Sequence, residues 1–408
     1  MDSPSFDNAR ILMYSHDTFG LGHLRRCREI AHALVEAHRG LSVLIISGAT
    51  IAGAFDYRVR VDFLKIPSVI KLRNGEYTSL AAHTKLEDTL AMRRALIRQT
   101  AETFRPDIFI TDKEPMGLHG EIEETLDYLK AQGTRLVLGL REVMDAPHLL
   151  AAEWARSDML RKIERYYDSI WAYGPEGFHD PLGGLDVSPA LRARMRYTGF
   201  LQRSVHRHAD TPSRDLGDYI LVTTGGGGDG AELIRDVFAA YRADPGLTRR
   251  AVVVLGPYLP ARERSELLAA GDALPRVEVI EFDNRMEDLI AGAQAVVGMG
   301  GYNTYCEILS FDRPALIVPR VTPREEQLIR ASRAAELGLI RMMRAEESAD
   351  PLRLAAALQT LPDARRPSQA PATPGVAARD LGGLARITAE VGHWLEDRRK
   401  PRLTAVHG

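Results

Sequence analysis

Gly298-Met299-Gly300-Gly301-Tyr302-Asn303-Thr304 stands between a short apolar run, Ala295–Val297, and a helix-period segment, Tyr305–Phe311. Arg313-Pro314-Ala315-Leu316-Ile317-Val318-Pro319 follows and reads as the next strand, and Arg324-Glu325-Glu326-Gln327 opens a helix reaching about Leu337. Strand, glycine turn, helix, strand and helix in that order make a βαβ unit around a parallel sheet. Gly300 and Gly301 let the backbone pass close to a ligand. The helix start behind them offers unpaired N–H groups, joined by Asn303 and Thr304, to an anion such as a diphosphate. Glu307, about one turn into that helix, can accept hydrogen bonds from ribose hydroxyls, and Glu326 and Gln327 can fix sugar hydroxyls. Singly, each has a plainer reading, since Asn or Thr at a helix start caps it and an early Glu complements the helix dipole. As a set at this spacing they favour a ligand site.

The same alternation extends in both directions. Arg10–Ser15, Leu41–Ser47, Asp62–Ile66, Asp107–Thr111, Arg135–Leu140, Ser169–Tyr173 and Arg196–Gly199 read as strands separated by helices such as His23–Ala37, Thr84–Phe104 and Glu121–Ala131. The polar stretch Gln202–Asp218 with Pro212 reads as a linker. A second alternation starts at Tyr219–Thr224. The expected fold is α/β: two facing Rossmann-like domains with a cleft between them, residues 1–201 and 219–345, joined by the 202–218 linker. A tail, 346–408, ends in an amphipathic helix over Leu384–Arg398.

Each domain has its own glycine turn between first strand and first helix. Gly20-Leu21-Gly22-His23-Leu24-Arg25-Arg26 places a histidine, able to act as a general base near neutral pH, at a helix start. Thr223-Thr224-Gly225-Gly226-Gly227-Gly228-Asp229-Gly230 formally satisfies G-x-G-x-x-G. Two features argue against a dinucleotide or P-loop site: the next strand runs into Gly256-Pro257 instead of an acidic residue, and no Gly-Lys-Ser/Thr is present. Asp112, just past a strand end, lies where ligands gather in open α/β sheets. Arg141 and Glu142 end another such strand and could face the acceptor, with a solvent-exposed ion pair the stronger expectation.

The 408 residues carry 45% apolar and 26% charged side chains, the usage of an ordered globular protein. A net charge of −2 gives no electrostatic reason to expect nucleic acid as a partner. The two cysteines, Cys27 and Cys306, make neither a disulfide framework nor a zinc site and fit a reducing compartment. No signal-peptide core and no apolar stretch near the roughly eighteen residues of a membrane helix is present. The expectation is a cytoplasmic protein, with peripheral contact on the inner face of the membrane left open through Lys65, Lys71, Arg73, Arg93, Arg94 and Arg98.

The turn at Gly300–Thr304, Glu307, the strand led by Pro314 and the Glu326-Gln327 pair together resemble the donor region of glycosyltransferase family 28 and its MurG-like relatives. Val279-Ile280-Glu281-Phe282-Asp283-Asn284-Arg285-Met286 is similar to the family loop that reads the nucleobase. The resemblance implies a GT-B fold, with the Leu384–Arg398 helix packing back across the domains instead of onto a bilayer, and transfer from a nucleotide-sugar, UDP-linked by preference, to a hydroxyl acceptor, with inversion and without metal or cofactor. It implies Glu307 on the ribose; Gly300, Gly301, Asn303 and Thr304 near the phosphates; and Phe282 and Asp283 by the base. Glu326 and Gln327 would hold the donor sugar, Gly22, Gly225, Gly226 and Gly227 would line the donor, and His23 would be the base with Asp112 as second choice. The first loop departs from the MurG pattern after His23, and the second lacks its Ser-Gln, so the MurG acceptor does not carry over. Gly-x-Gly-His-x-x-Arg also resembles PseG-type nucleotide-sugar hydrolases, and a nucleotide-sugar binding protein without turnover is the third reading.

Overall fold

The computed structural model describes residues 6, 8–16, 21–71, 77–81, 83–205, 216–226 and 228–399. Gly20, Arg73, Gly227 and residues 206–215 of the expected linker lie outside the described residues.

Two parallel sheets form the core. The first has seven strands, ordered Val61–Lys65, Ser42–Ser47, Arg10–Ser15, Ile108–Asp112, Arg135–Arg141, Ser169–Tyr173 and Met195–Tyr197. The second has six, ordered Val277–Ile280, Ala251–Val254, Ile220–Thr223, Ala295–Gly298, Ala315–Ile317 and Arg341–Met342. In Ile220–Thr223 and Ala251–Val254 all positions are buried, as expected for strands covered on both faces. In each sheet the order reverses between the first and fourth strands of the domain, and that switch point opens the crevice where α/β sheets bind ligands.

The chain crosses between domains twice. After the second sheet it returns to the first domain, pairing Leu201 with Gly382 and bonding Gly383 N–H to Phe200 C=O at 3.1 Å. A side chain at Gly383 would meet backbone oxygens of Gly199 and Phe200 at 2.7 Å, so close approach requires glycine there. Helix Gly383–Arg399 lies against helix Gly22–Ala37. Trp394 stacks on buried Trp171 with ring centroids 5.9 Å apart, and Trp171 Nε1–H donates to Glu390 at 2.6 Å.

Several elements differ from the expectation. The helix after Gly301 begins at Tyr302, so Asn303 and Thr304 belong to its first turn. Helices Pro147–Ala155, Met159–Tyr166, Ala261–Asp272 and Pro351–Thr360 are additional. Glu142 is fully buried and accepts from Arg330, while Arg141 points to Glu326, so they are not an exposed ion pair. Arg93 does not face outward: it is fully buried and holds Glu121 through Nε at 2.6 Å and Nη2 at 2.5 Å. Among the described residues no helix is long and apolar enough to cross a membrane.

Candidate functional site

The switch point of the first sheet places Ser15 level with Asp112 in the parallel pair Arg10–Ser15/Ile108–Asp112. His16 follows the first strand, and Gly22 and His23 start the helix above it. Asp112 is fully buried and accepts from Arg26 Nε at 2.8 Å, from Arg26 Nη2 at 2.5 Å and from His23 Nδ1 at 2.6 Å. The guanidinium beside it holds the Asp112 carboxyl well below the usual range despite burial. An ionised Asp112 requires the proton of neutral His23 on Nδ1, which leaves the Nε2 lone pair as acceptor. Burial pushes the His23 imidazole down to about 4, against the pull of Asp112 and with Arg26 adding to the depression. His23 is therefore neutral at physiological pH, the state a base needs.

Sequence reasoning missed the layer behind this pair. The His16 ring meets His23 edge-on at 5.7 Å, and His16 Nδ1 lies 3.3 Å from the Tyr14 hydroxyl. That hydroxyl donates to Glu121 at 2.5 Å, and Glu121 is the carboxylate clamped by Arg93. His16 stands directly after the first strand, and that position was the available signal.

On the facing domain, Gly300 has φ 79° and sits so close to Ile317 that a Cβ would clash at 2.9 Å. Among the described residues beyond its own neighbours in the chain, no atom lies within 4 Å of where a side chain on Gly301 would begin. Gly225, with φ 71°, and Gly226 turn over Gly256, and Gly226 C=O accepts from Tyr258 N–H at 3.1 Å. Thr304 is buried beside these turns. Asn303 Nδ2 donates to Gly22 C=O at 3.0 Å, and its Oδ1 accepts from Arg203 at 2.9 Å, so the two helix starts meet across the cleft.

Glu307 is 1% exposed and accepts from Arg25 of the first domain, which also donates to Glu287 at 2.8 Å. Two carboxylates share one cation. Burial and the Glu287 charge push Glu307 up to about 7 against Arg25, while Arg25 holds Glu287 below its ordinary value. At one end of the cleft, Phe282 packs on the core, Asp283 Oδ1 accepts from Arg285 N–H at 2.8 Å, and Asn284 donates to Ala54 C=O at 2.9 Å. At the other, Gln327 Oε1 accepts from Arg320 N–H at 3.1 Å and Glu326 Oε1 from Arg320 Nη2 at 3.0 Å. Among the described residues no three His, Cys, Asp or Glu side chains cluster as a metal site.

Residues 219–379 match the model of the glycosyltransferase family 28 C-terminal domain. The chain is a glycosyltransferase whose second domain is of the family 28 C-terminal type. An uncharacterized glycosyltransferase of Methanosarcina acetivorans is 24% identical over 335 residues, 79% of this chain and 83% of that protein. The calicheamicin glycosyltransferase CalG4 superposes with a TM-score of 0.59 at 17% identity, covering 96% of this chain and 100% of CalG4. MurG of Acinetobacter baumannii gives 0.56 at 13% identity over 94% and 99%. The frame of this glycosyltransferase is therefore GT-B, with His23 and Asp112 on one wall of the cleft and the family 28 glycine turns on the other.

Proposed function

We propose that this glycosyltransferase moves a sugar from a nucleoside-diphosphate sugar, uridine-linked by preference, to an acceptor hydroxyl with inversion at the anomeric carbon. The observation that carries the reading is the 2.6 Å contact between His23 Nδ1 and Asp112, made where the helix starts of both domains converge. Asp112 fixes the tautomer, and His23 Nε2 takes the proton from the attacking hydroxyl. Gly22, Gly225, Gly226, Gly300 and Gly301 let backbone N–H groups approach the departing diphosphate, with Thr304 beside them, and Gly227 belongs to the same loop. This neutralisation of developing charge at helix starts needs no metal ion or cofactor. Glu307 takes the ribose, Phe282 and Asp283 the base, and Glu326 and Gln327 the donor sugar. The protein acts in the cytoplasm.

A thermal-shift panel of UDP, GDP, ADP, dTDP, CDP and NAD, repeated on Glu307→Ala, tests the donor site. A shift with one nucleoside diphosphate that is lost in the variant supports the reading and chooses the base. A shift with NAD alone refutes it. Sugar release without acceptor assigns the hydrolase reading, and binding without turnover under an acceptor screen assigns the binding-protein reading.

A further inference from the structure

Beside Glu326 the two domains bring together a group of cations that is not evenly neutralised. Arg330 is held by Glu142, Arg324 by Asp145 at 3.3 Å and Glu153 at 3.0 Å, and Lys113 by Glu114 at 3.1 Å. Arg320 is held by Asp229 and by Glu326 at 3.0 Å. Arg141 is left with Glu326 at 3.9 Å, a carboxylate already engaged by Arg320. Its side chain is only 14% exposed, and among the described residues its buried Nε has no hydrogen-bond partner, nor has Glu326 Oε2. Arg141 ends Arg135–Arg141 and Lys113 directly follows the adjacent parallel strand Ile108–Asp112, at the edge where ligands enter. A guanidinium buried without a close counter-charge is costly unless a ligand supplies one.

We propose that Arg141, with Lys113 beside it, receives a carboxylate on the sugar held by Glu326 and Gln327, so that the substrate class is an acidic sugar of the hexuronate kind. The planar guanidinium fork matches a carboxylate, and its unused Nε–H is the second donor of a two-point contact. Glu326 Oε2 is free to accept a neighbouring hydroxyl of the same ring. This rests on the donor-site reading above, in which the diphosphate lies on the glycine turns and not here.

Calorimetry on the full chain compares UDP, UDP-glucose and UDP-glucuronate, with Arg141→Met as the variant. A second arm compares methyl glucuronide with methyl glucoside on UDP-saturated protein. The expected result is UDP-glucuronate binding about tenfold or more tighter than UDP-glucose, the ratio collapsing in Arg141→Met while UDP is unaffected. A preference for methyl glucuronide that depends on Arg141, with UDP-glucuronate and UDP-glucose binding alike, moves the carboxylate to the acceptor and overturns its placement on the donor sugar. Equal binding of acidic and neutral sugars in both arms, with UDP still bound, overturns the proposal and leaves the donor reading standing. Failure of the unaltered protein to bind any nucleoside diphosphate of the panel overturns both.

Discussion

Arg25 of the first domain donates to the carboxylate of Glu307 in the second, so a ribose that reaches Glu307 has to share it with a cation from across the cleft. Glu307→Gln keeps the shape and removes the charge. Nucleoside-diphosphate affinity should fall by about ten- to a hundredfold, the worth of a charged hydrogen bond, in a calorimetric titration.

The same residue sets a pH dependence. Its carboxyl is pushed up to about 7, so the folded protein holds a proton that the unfolded chain releases near its ordinary value of 4.5. The Glu307 contribution to stability is full below about 4.5 and is lost as pH rises through 7. Conversely, the ionised acceptor that ribose needs forms over that upper range. Nucleotide affinity should rise between pH 6 and 8 and be flat in Glu307→Gln. An unchanged slope in the variant would remove Glu307 from the account.

His23→Ala should lower kcat by about a hundred- to ten-thousandfold with little change in donor KM, measured by initial rates on the nucleotide sugar chosen by the binding panel. Because burial holds His23 near 4, the acid limb of kcat/KM should fall around that pH and not at 6.5. Below it the imidazole is protonated and cannot accept the hydroxyl proton.

Arg93→Met leaves Glu121 buried without its partner and should cost about 3–5 kcal/mol in urea unfolding. Retention on anionic vesicles should be unaltered, since Arg93 is fully buried.

Trp394→Ala removes the ring stacked on Trp171 and should cost about 3–5 kcal/mol. The loss should be visible as earlier unfolding of the first domain, followed by Trp171 fluorescence.

The two-domain α/β frame was legible because each strand–glycine turn–helix unit is local and announces itself over a dozen residues. Short helices such as Met159–Tyr166 were not, since eight residues carry too little periodicity. His23 and Asp112 were legible as residue types, but they stand 89 positions apart and their pairing follows from the parallel alignment of Arg10–Ser15 with Ile108–Asp112. Partners brought in from distant parts of the chain, Arg25 and Arg330 from the opposite domain and Arg203 from the linker, leave no local mark at all. Arg141 and Glu142 looked like one pair, yet in the fold each makes its contact with a different residue of the second domain, Glu326 and Arg330.

Trp171 and the helix that covers it are 219 positions apart along the chain, measured to Glu390. At a ribosomal pace of about 5–20 residues per second, the earlier-made half waits on the order of ten to forty seconds for its last wall. During that interval the Trp171 side of its sheet faces water or a chaperone, so the domain begun first is finished last. Yield of intact protein should consequently depend on how fast the final helix is delivered, which makes translation speed over the second half a variable in producing the enzyme.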